Sequence, residues 1–455
     1  MKKKHTISRR ALFALMSAAM LPPITVNAQL RRADVIVIGA GVAGLAAARK
    51  LRQANISAIV LEARTRVGGR VWTDRSWGYA LDLGASWIHG VTNNPLSKLA
   101  RDWRIATMPT DYEYAVLYDT NGRALSETRQ VAIGDQLDAL LEAAAARGER
   151  RSRDVALQTT LDELLRAENL SPSERRVFDQ ALNATIEHEY AADAAQLSLW
   201  HYDSARVFGG EDVLFPQGYD QIVRGLARSL DVRLDHVVRA VDFSKPEIRV
   251  SSSRGVYSAR SVVMTLPLGV LKRGGLRFTP ELPRAKQDAI AQLGMGLLNK
   301  VYLRFPRRFW QDEAELIGYI AERKGEWAEW LNIAAYSDEP VLLGFNAASY
   351  ARKLETMSDT QVVAAAMSVL RTIYGSRIPL PEDSLITRWA ADPYALGSYS
   401  FVAVGASGDD YDALADPVDQ RLFFAGEATH RDYPSTVHGA LLSGERAADE
   451  IIATV

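Results

Sequence analysis

The sequence predicts a mixed α/β fold in which one discontinuous domain is interleaved with a second domain of mixed sheet and helices. Residues 35–51, VIVIGAGVAGLAAARKL, join an apolar run to a glycine turn and a helical pattern, and a second apolar run, SAIVLE, follows them. Near the C-terminus, RLFFAGEA is typical of a strand that enters a turn, and GALLSGERAADEII is typical of a helix. The α/β pattern therefore occurs at both ends of the chain.

The first glycine turn has the spacing of a dinucleotide-binding motif. Gly39 permits a tight turn, Gly41 lets the backbone approach a pyrophosphate, and Gly44 lets helix and strand pack closely. The pyrophosphate would lie on free N–H groups at the helix N-terminus, and Glu62 can accept hydrogen bonds from ribose hydroxyls. An ordinary tight turn is the alternative for a lone motif, but here strand, helix and acid are in register. The sequence thus predicts a Rossmann-like domain.

Domain limits follow from the distribution of these patterns. The Rossmann-like domain is predicted over 30–109, 213–293 and 391–455, and the substrate-binding domain over 110–212 and 294–390. Shorter patterns predict helices within 130–190 (one starting at Ser171-Pro172), at 283–293 and at 359–374, and strands within 232–266 and at 299–303.

The first 28 residues resemble a targeting segment. MKKKHTISRR is basic, ALFALMSAAML is apolar, and Val26-Asn27-Ala28 resembles a small-residue cleavage site. Ser8-Arg9-Arg10 fits a twin-arginine signal, so we expect export in the folded state to the periplasm or the medium. An ordinary secretory signal and an uncleaved anchor are the alternatives. No stable membrane anchor is expected once the signal is removed.

Composition limits the chemistry. The 455 residues include no cysteine, which excludes disulfides, a thiol nucleophile and a cysteine–metal cage. The seven histidines form no HExxH or comparable pattern, so no metal site is expected. The net charge is −1 without a basic stripe, so nucleic acid is not expected as a partner. No pattern indicates an oligomeric state.

A single dinucleotide motif leaves NAD and FAD open as ligands. Gly294-Met295-Gly296 lacks the third glycine and makes no second site. The turn Val67-Gly68-Gly69 and Arg70 after it favour FAD, because this arginine can pair with a phosphate. A surface turn with a solvated arginine is the alternative.

Eight stretches of the chain resemble flavin-containing amine oxidases, with a pattern most like the polyamine oxidases and the flavin histone demethylases. They occur in family order from residue 35 to about 448 and read VIVIGAGVAGLAAARKL, LEARTRVGGRV, LDLGASWIHG, FPQGYDQIV, TLPLGVLK, LNKVYL, RWAADPYALGSYS and FFAGEATHRDYPSTVHGALLSGERAA. The resemblance therefore covers nearly all of the chain after the leader.

The resemblance implies non-covalent FAD. It places Glu62 at the adenosine ribose, Arg64 and Arg70 near the phosphates, and Glu427 at the ribityl chain, at the start of the last helix. Monoamine oxidases usually carry the flavin on a cysteine where this chain has Ser398. The other positions that the resemblance assigns to the cofactor are Gly39, Gly41, Gly44, Ala85, Ser86, Trp87, Val238, Gly426, Thr436 and Val437.

The resemblance also implies an amine site. Lys300 matches the lysine that holds a water against flavin N5, Trp389 and Tyr399 match the aromatic residues that flank the amine, and Thr436 shares that wall. On the residues alone, an outward solvated lysine and two core aromatics are the alternatives. A turn over 392–397 would bring both rings to one cavity wall.

His89 and Glu189 decide the expected substrate. Both match polyamine oxidases more than monoamine oxidases, and a carboxylate at Glu189 can bind the distal ammonium of a diamine or polyamine. Glu187 is expected on a solvated helix face, and His89 alone is more typical of a satisfied histidine. The WIHG segment lacks the arginine usual in amino-acid oxidases, so amino acids are not the expected substrates. The chain has no long helical-hairpin insertion typical of histone demethylases, so that role is not expected either.

The expected reaction is oxidation of diamines or polyamines. A neutral amine loses a hydride from the carbon next to nitrogen to flavin N5, the imine hydrolyses, and O2 reoxidises the flavin to give H2O2. A monoamine or L-amino-acid oxidase of the same fold, or a non-catalytic flavoprotein, is the alternative.

Overall fold

The computed structural model describes residues 31–112, 115–311 and 314–454. The predicted leader over 1–28 lies outside these residues. Within them, no helix combines the length and the apolar character needed to cross a bilayer.

The secondary structure is mixed throughout. The α-helices are Val42–Gln53, Pro95–Asp102, Glu127–Gly148, Leu157–Glu168, Pro172–Leu182, His188–Tyr190, Asp220–Ala227, Leu268–Arg273, Arg284–Gln292, Ala348–Glu355, Asp359–Tyr374, Gly408–Ala415 and Val437–Ile452. A π-helix spans Asn183–Glu187, and 3-10 turns span Ile333–Ala335 and Glu427–Thr429. The predicted helices and strands are confirmed, and Ser171 begins its helix with a capping box to Glu174.

A parallel five-stranded sheet forms the centre of the first domain. Its strands, in spatial order, are Asp231–Arg233, Ala58–Leu61, Val35–Ile38, Ser261–Met264 and Leu422–Phe424. Val35 and Val37 face the helices Val42–Gln53 and Val437–Ile452, whereas Ile36 and Ile38 face the opposite side. Burial on both faces explains why these strands read as continuous apolar runs.

A second five-stranded sheet covers that opposite side. Its order is Arg31–Arg32, Gly255–Ala259, Ile248–Ser252, Val238–Asp242 and Arg277–Thr279. In a three-stranded sheet, Val213–Leu214 lies between Trp87–Ile88 and Met108–Pro109. Two-stranded sheets pair Thr73–Asp74 with Leu81–Asp82 and Gly294–Met295 with Ser400–Phe401.

A six-stranded sheet belongs to the second half of the fold. Its order is Asp383–Ile386, Leu298–Arg304, Val341–Ala347, Glu329–Asn332, Leu316–Tyr319 and Ala115–Tyr118. Lys300 is directly opposite Phe345 on the neighbouring strand, and Phe345 is opposite Glu329 on the next. Since cross-strand partners share a face, these three side chains lie in one row. The observed architecture confirms the predicted mixed α/β fold, while the predicted domain limits stay a prediction.

Candidate active site

One cavity of about 1190 Å³ connects the glycine turn with the six-stranded sheet. Gly39, Gly41 and Glu62 contribute to its lining, and so do Lys300 and Glu189. The cavity therefore brings together most of the side chains that the sequence pointed to from distant parts of the chain.

The glycine turn has the geometry that a dinucleotide requires. Gly39 has φ of +107°, and a Cβ on Gly44 would lie 2.0 Å from the carbonyl oxygen of Gly39. A Cβ on Gly41 would instead meet no protein atom within 4 Å, because that position faces the cavity. The helix that begins at Val42 has no side-chain cap, so its first N–H groups are free to receive an anion.

Glu62 directly follows the strand Ala58–Leu61 and lines the cavity. Its carboxylate accepts hydrogen bonds from the backbone N–H of Ala40 at 2.7 Å and of Arg64 at 2.8 Å. Arg64 donates both guanidinium arms to Asp392, at 2.7 and 2.8 Å, although it also lines the cavity. Because this carboxylate already occupies the guanidinium fork, the role of Arg64 near phosphates stays a prediction.

Arg70 and Glu427 form an ion pair inside the cavity. Arg70 Nη1 donates to Glu427 Oε1 at 2.7 Å and to the carbonyl oxygen of Ser398 at 2.9 Å. The other oxygen of Glu427 accepts from the Ser400 hydroxyl at 2.6 Å and from the backbone N–H of Ser435 at 3.1 Å. This network fixes both side chains at the junction of the N- and C-terminal segments.

The expected position of Glu427 at the start of the last helix is wrong. Glu427 begins a short 3-10 turn, and the last helix begins ten residues later, at Val437. The helix cap is Thr436, whose hydroxyl accepts from the backbone N–H of Gly439 at 3.0 Å and donates to the carbonyl oxygen of Tyr433 at 2.9 Å. Both partners of the Thr436 hydroxyl are therefore backbone groups. The remaining predicted cofactor residues also line the cavity: Ala85, Ser86, Trp87, Val238, Gly426 and Val437.

Lys300 is buried, so the interpretation as an outward solvated lysine is wrong. Its side chain is 3% exposed, and Nζ donates to the carbonyl oxygens of Asp82 and Gly84 at 2.8 and 2.7 Å and to Ser86 Oγ at 2.6 Å. Burial lowers the pKa of Lys300 below that of an exposed lysine, and the Asp82 carboxylate opposes this effect. The Lys300 proton is therefore more easily released than that of a surface lysine.

Trp389 and Tyr399 both line the cavity, as the predicted turn requires. The backbone N–H of Gly397 donates to the carbonyl oxygen of Trp389 at 2.9 Å and closes the turn. Trp389 Nε1 donates to the carbonyl oxygen of Leu83 at 3.2 Å, and the Tyr399 hydroxyl donates to that of His188 at 2.7 Å. These bonds hold the two rings in place.

His89 is paired with a carboxylate that the sequence did not indicate. Its Nδ1 lies 2.8 Å from Asp212 Oδ2, and Asp212 also accepts from the Tyr112 hydroxyl at 3.0 Å. Burial lowers the pKa of His89, but the hydrogen bond and charge of Asp212 outweigh burial and raise it. Glu189 also lines the cavity, and the described residues give it no hydrogen bond or ion pair. Its carboxylate is therefore available to a ligand.

The expected solvated position of Glu187 is wrong. The side chain is 2% exposed, and its carboxylate accepts from Lys324 Nζ at 2.7 Å, from Asn183 Nδ2 at 2.8 Å and from the backbone N–H of Ala194 at 2.8 Å. Glu187 ends a π-helix over Asn183–Glu187. Glu189 is two residues further along and therefore points to a different side of the helix.

Sequence reasoning missed five residues that face or support the site. Asp82 and Phe345 surround Lys300, Asp212 holds His89, and His188 and Glu329 line the cavity near Phe345. Only Asp82 lies within a stretch that carried the resemblance, LDLGASWIHG. The others come from segments without a motif. In the described part of the chain, no group of three or more His, Asp or Glu side chains could hold a metal ion.

The parallel sheet and its glycine turn are typical of a nucleotide-binding domain, and the cavity joins them to a buried lysine. The sequence profile of the family described as flavin containing amine oxidoreductase matches residues 42–452. The chain belongs to this family. Because such proteins are enzymes that use a flavin, the family disfavours both NAD and a non-catalytic carrier.

Curated relatives agree with this assignment. The chain is 37% identical over 439 residues to Protein FLOWERING LOCUS D of Arabidopsis thaliana, with 92% of this chain and 55% of that protein covered. It is 38% identical over 441 residues to a lysine-specific histone demethylase 1 homolog 3 of Oryza sativa subsp. indica, with 92% and 54% covered. The chain thus spans about half the length of these relatives.

Solved structures show the same fold. A putrescine oxidase, wild type bound to putrescine, has a TM-score of 0.76 and 22% identity, with 93% of this chain and 99% of that chain covered. A putrescine oxidase with redesigned cofactor binding has a TM-score of 0.77 and 22% identity, with 94% and 100% covered.

Proposed function

We propose that this enzyme is an FAD-dependent oxidase of diamines or polyamines that holds its flavin non-covalently. The observation that carries the proposal is one continuous cavity, which joins the glycine turn to Lys300 and to Glu189, a carboxylate that has no hydrogen bond or ion pair within the described residues. The solved putrescine oxidase with the same fold, described as bound to putrescine, supports a diamine as substrate.

The residues present fit FAD at the glycine end. The open space at Gly41 and the uncapped helix suit a pyrophosphate, and Glu62, which lines the same cavity, supports a ribose contact by its carboxylate. A thioether link is excluded because the chain has no cysteine, and the Ser398 hydroxyl is bound to the carbonyl oxygen of Leu298 at 2.9 Å. Non-covalent binding is therefore the expected mode.

The amine end supplies orientation and proton handling. When bound, a flavin accepts a hydride from the carbon next to the amine nitrogen. Trp389 and Tyr399 offer aromatic faces that attract a cationic or neutral amine. Ser86 Oγ lies 2.6 Å from Lys300 Nζ and lines the cavity, so it can pass a proton between this lysine and a cavity group. The neutral amine then keeps the lone pair that stabilises the developing iminium.

A substrate panel with peroxide detection tests the proposed function. We expect turnover of diamines and polyamines, with weaker turnover of simple monoamines. Turnover of L-amino acids without that of polyamines would contradict it. The histone demethylase relatives add an N-methyl-lysine peptide to the panel, and exclusive use of that peptide would favour a demethylase instead.

Replacing Glu189 by glutamine should raise KM for polyamines more than for monoamines. The substitution removes the negative charge that would bind the distal ammonium, while it keeps the shape and hydrogen-bonding capacity of the side chain. Steady-state kinetics on both substrate classes measure the effect. Glu322→Gln is the control, because this side chain is 70% exposed and lies outside the cavity lining. Equal changes on both substrate classes would contradict the distal-ammonium role.

We propose further that the leader exports the folded enzyme to the periplasm or the medium. The support is the sequence Ser8-Arg9-Arg10 followed by an apolar run. Cell fractionation of the full chain tests this, and retention of all activity in the cytoplasm would contradict it.

A further inference from the structure

Three side chains are stacked behind one wall of the cavity. The guanidinium of Arg66 lies 4.6 Å from the centroid of the Trp72 ring. The Trp72 ring in turn meets the Trp389 ring edge to face, with centroids 6.2 Å apart and planes at 87°. Trp389 lines the cavity, whereas Arg66 and Trp72 lie outside its lining. The stack therefore ends at a ring that faces a bound amine.

Arg66 is held mainly by the Trp72 ring. Within the described residues it forms no ion pair, and its one hydrogen bond joins Nη1 to the carbonyl oxygen of Val67 at 3.2 Å. Burial, and after it the charge of Arg64, lowers the pKa of Arg66 to about 10, so the guanidinium stays protonated at neutral pH. A partly desolvated guanidinium without a carboxylate partner is attracted to the face of an indole ring. This attraction restrains the Trp72 ring.

Trp72 is also the largest side chain in the apolar cluster around Trp389. The other members of that cluster are small or aliphatic: Leu297, Ala351, Ala390 and Ala395. The indole N–H of Trp389 donates to the carbonyl oxygen of Leu83 at 3.2 Å, which is long for a hydrogen bond of this type. Removal of the Trp72 ring would therefore leave space into which the Trp389 ring can turn.

The main chain of Trp72 supports Lys300 by a separate route. The carbonyl oxygen of Trp72 accepts from the backbone N–H of Leu83 at 2.8 Å and of Gly84 at 3.3 Å. The carbonyl oxygen of Gly84 accepts in turn from Lys300 Nζ at 2.7 Å. A substitution at Trp72 changes the side chain and keeps this carbonyl group. The position of Trp389 can therefore be perturbed while the hydrogen bonds of Lys300 stay in place.

We propose that Trp72 is a positioning residue, restrained by Arg66, that fixes the Trp389 ring in the orientation that binds the amine. Trp72 and Arg66 act through Trp389 and do not touch the substrate. The inference rests on the proposed function in one respect, that Trp389 forms a wall of the amine site. It adds that amine affinity depends on a stacked pair outside the cavity.

Anaerobic reduction of the flavin-loaded enzyme at a series of amine concentrations gives an apparent amine dissociation constant and a limiting rate separately. In Trp72→Leu, the apparent dissociation constant should rise about fivefold, as expected if the Trp389 ring is in place in only about a fifth of the molecules. The limiting rate and its rise with pH should stay close to those of the wild type, because Lys300 keeps its hydrogen bonds. The affinity for FAD should also be unchanged, since Trp72 lies outside the cavity lining.

Conservative variants and a matched pair serve as controls. Trp72→Phe keeps an aromatic ring and should recover most of the amine affinity. Arg66→Met should weaken amine binding to a smaller extent, and Arg66→Lys, which restores a cation over the ring, should recover it. In the matched pair, the Arg49 guanidinium lies 5.3 Å from the centroid of the Trp103 ring, also outside the cavity lining. Trp103→Leu and Arg49→Met should leave the amine dissociation constant unchanged.

A second readout requires no turnover. The chain has nine tryptophans, so isotope-labelled indole N–H groups give a small set of NMR signals, and Trp389→Phe assigns the signal of Trp389. In Trp72→Leu, the Trp389 indole proton should exchange with solvent faster than in the wild type, because packing no longer protects its hydrogen bond to Leu83. Trp103→Leu should leave this exchange rate unchanged.

An unchanged amine dissociation constant in Trp72→Leu would overturn the proposal, and so would an equal loss of affinity in Trp103→Leu. A lower limiting rate at unchanged amine affinity would also contradict it, since Trp72 would then act on Lys300. If Trp72→Leu does not fold, Arg66→Met and Arg66→Lys provide the same comparison. If the wild type oxidises no amine but the Trp389 signal responds to Trp72→Leu alone, the proposed function fails while the positioning of Trp389 stands.

Discussion

Replacing Lys300 by methionine is expected to leave the flavin bound and to slow its reduction by amine, its reoxidation by O2, or both by at least about tenfold. Lys300 is buried and lines the cavity, and its Nζ donates to Ser86 Oγ, which also lines the cavity. Methionine keeps a side chain of similar length and removes the proton carrier. Anaerobic stopped-flow reduction and oxygen reoxidation, each followed by flavin absorbance, measure the two steps separately.

The pH dependence of the flavin reduction rate distinguishes a loss of proton transfer from a loss of packing at Lys300. Because burial lowers the pKa of Lys300, the wild-type reduction rate should rise with pH at values below the pKa of an exposed lysine, as the ammonium loses its proton. In Lys300→Met, the reduction rate should not show this rise with pH. Lys286→Met is a matched control, since Lys286 is also buried, at 2% exposed, but donates to the carbonyl oxygens of Ala413 and Leu414 outside the cavity lining. Unchanged kinetics in Lys300→Met would remove Lys300 from the mechanism.

Alanine at Gly41 is expected to abolish or strongly weaken flavin binding without unfolding the protein. The new Cβ would meet no protein atom within 4 Å, so the fold tolerates it, but it would occupy the space where the backbone must approach the pyrophosphate. We expect flavin affinity to fall at least about tenfold, or about 1.4 kcal/mol. Equilibrium dialysis with FAD and thermal unfolding of the flavin-free protein measure the two effects.

Alanine at Gly44, unlike alanine at Gly41, is expected to lower the stability of the protein itself. A Cβ there would lie 2.0 Å from the Gly39 carbonyl oxygen, so Gly44→Ala should destabilise the flavin-free protein as well, by about 1–3 kcal/mol or more. Gly134 lies on the helix Glu127–Gly148 with open space around it, so Gly134→Ala should lower neither the flavin affinity nor the stability of the flavin-free protein. Normal FAD affinity in Gly41→Ala would contradict the assignment of this turn to the pyrophosphate.

The first domain could be read from sequence because its signals are local. The strand Val35–Ile38, the turn at Gly39 and the helix Val42–Gln53 are consecutive, so spacing alone places the glycines and Glu62 relative to one another. The helix predicted at 359–374 is observed over Asp359–Tyr374, where the Ser358 side chain accepts from the backbone N–H of Gln361.

The acids of the substrate site show where local reading failed. Glu187 and Glu189 are two residues apart, so on one helix their side chains point about 200° apart. Helical periodicity separates the two faces, but it does not show that Glu187 packs against Lys324 or that Glu189 lines the cavity. Asp212 and Glu329 were missed because no motif surrounds them.

By itself, the sequence determined the α/β class, the dinucleotide turn, the flavin amine oxidoreductase resemblance and the absence of any cysteine, since each depends on residue identity or on neighbours along the chain. Only the tertiary structure decided that Lys300 is held by three oxygen acceptors, that Glu427 pairs with Arg70, and that Lys300, Phe345 and Glu329 share one row. Those facts depend on strand register and on the packing of segments far apart in sequence, which no local pattern records.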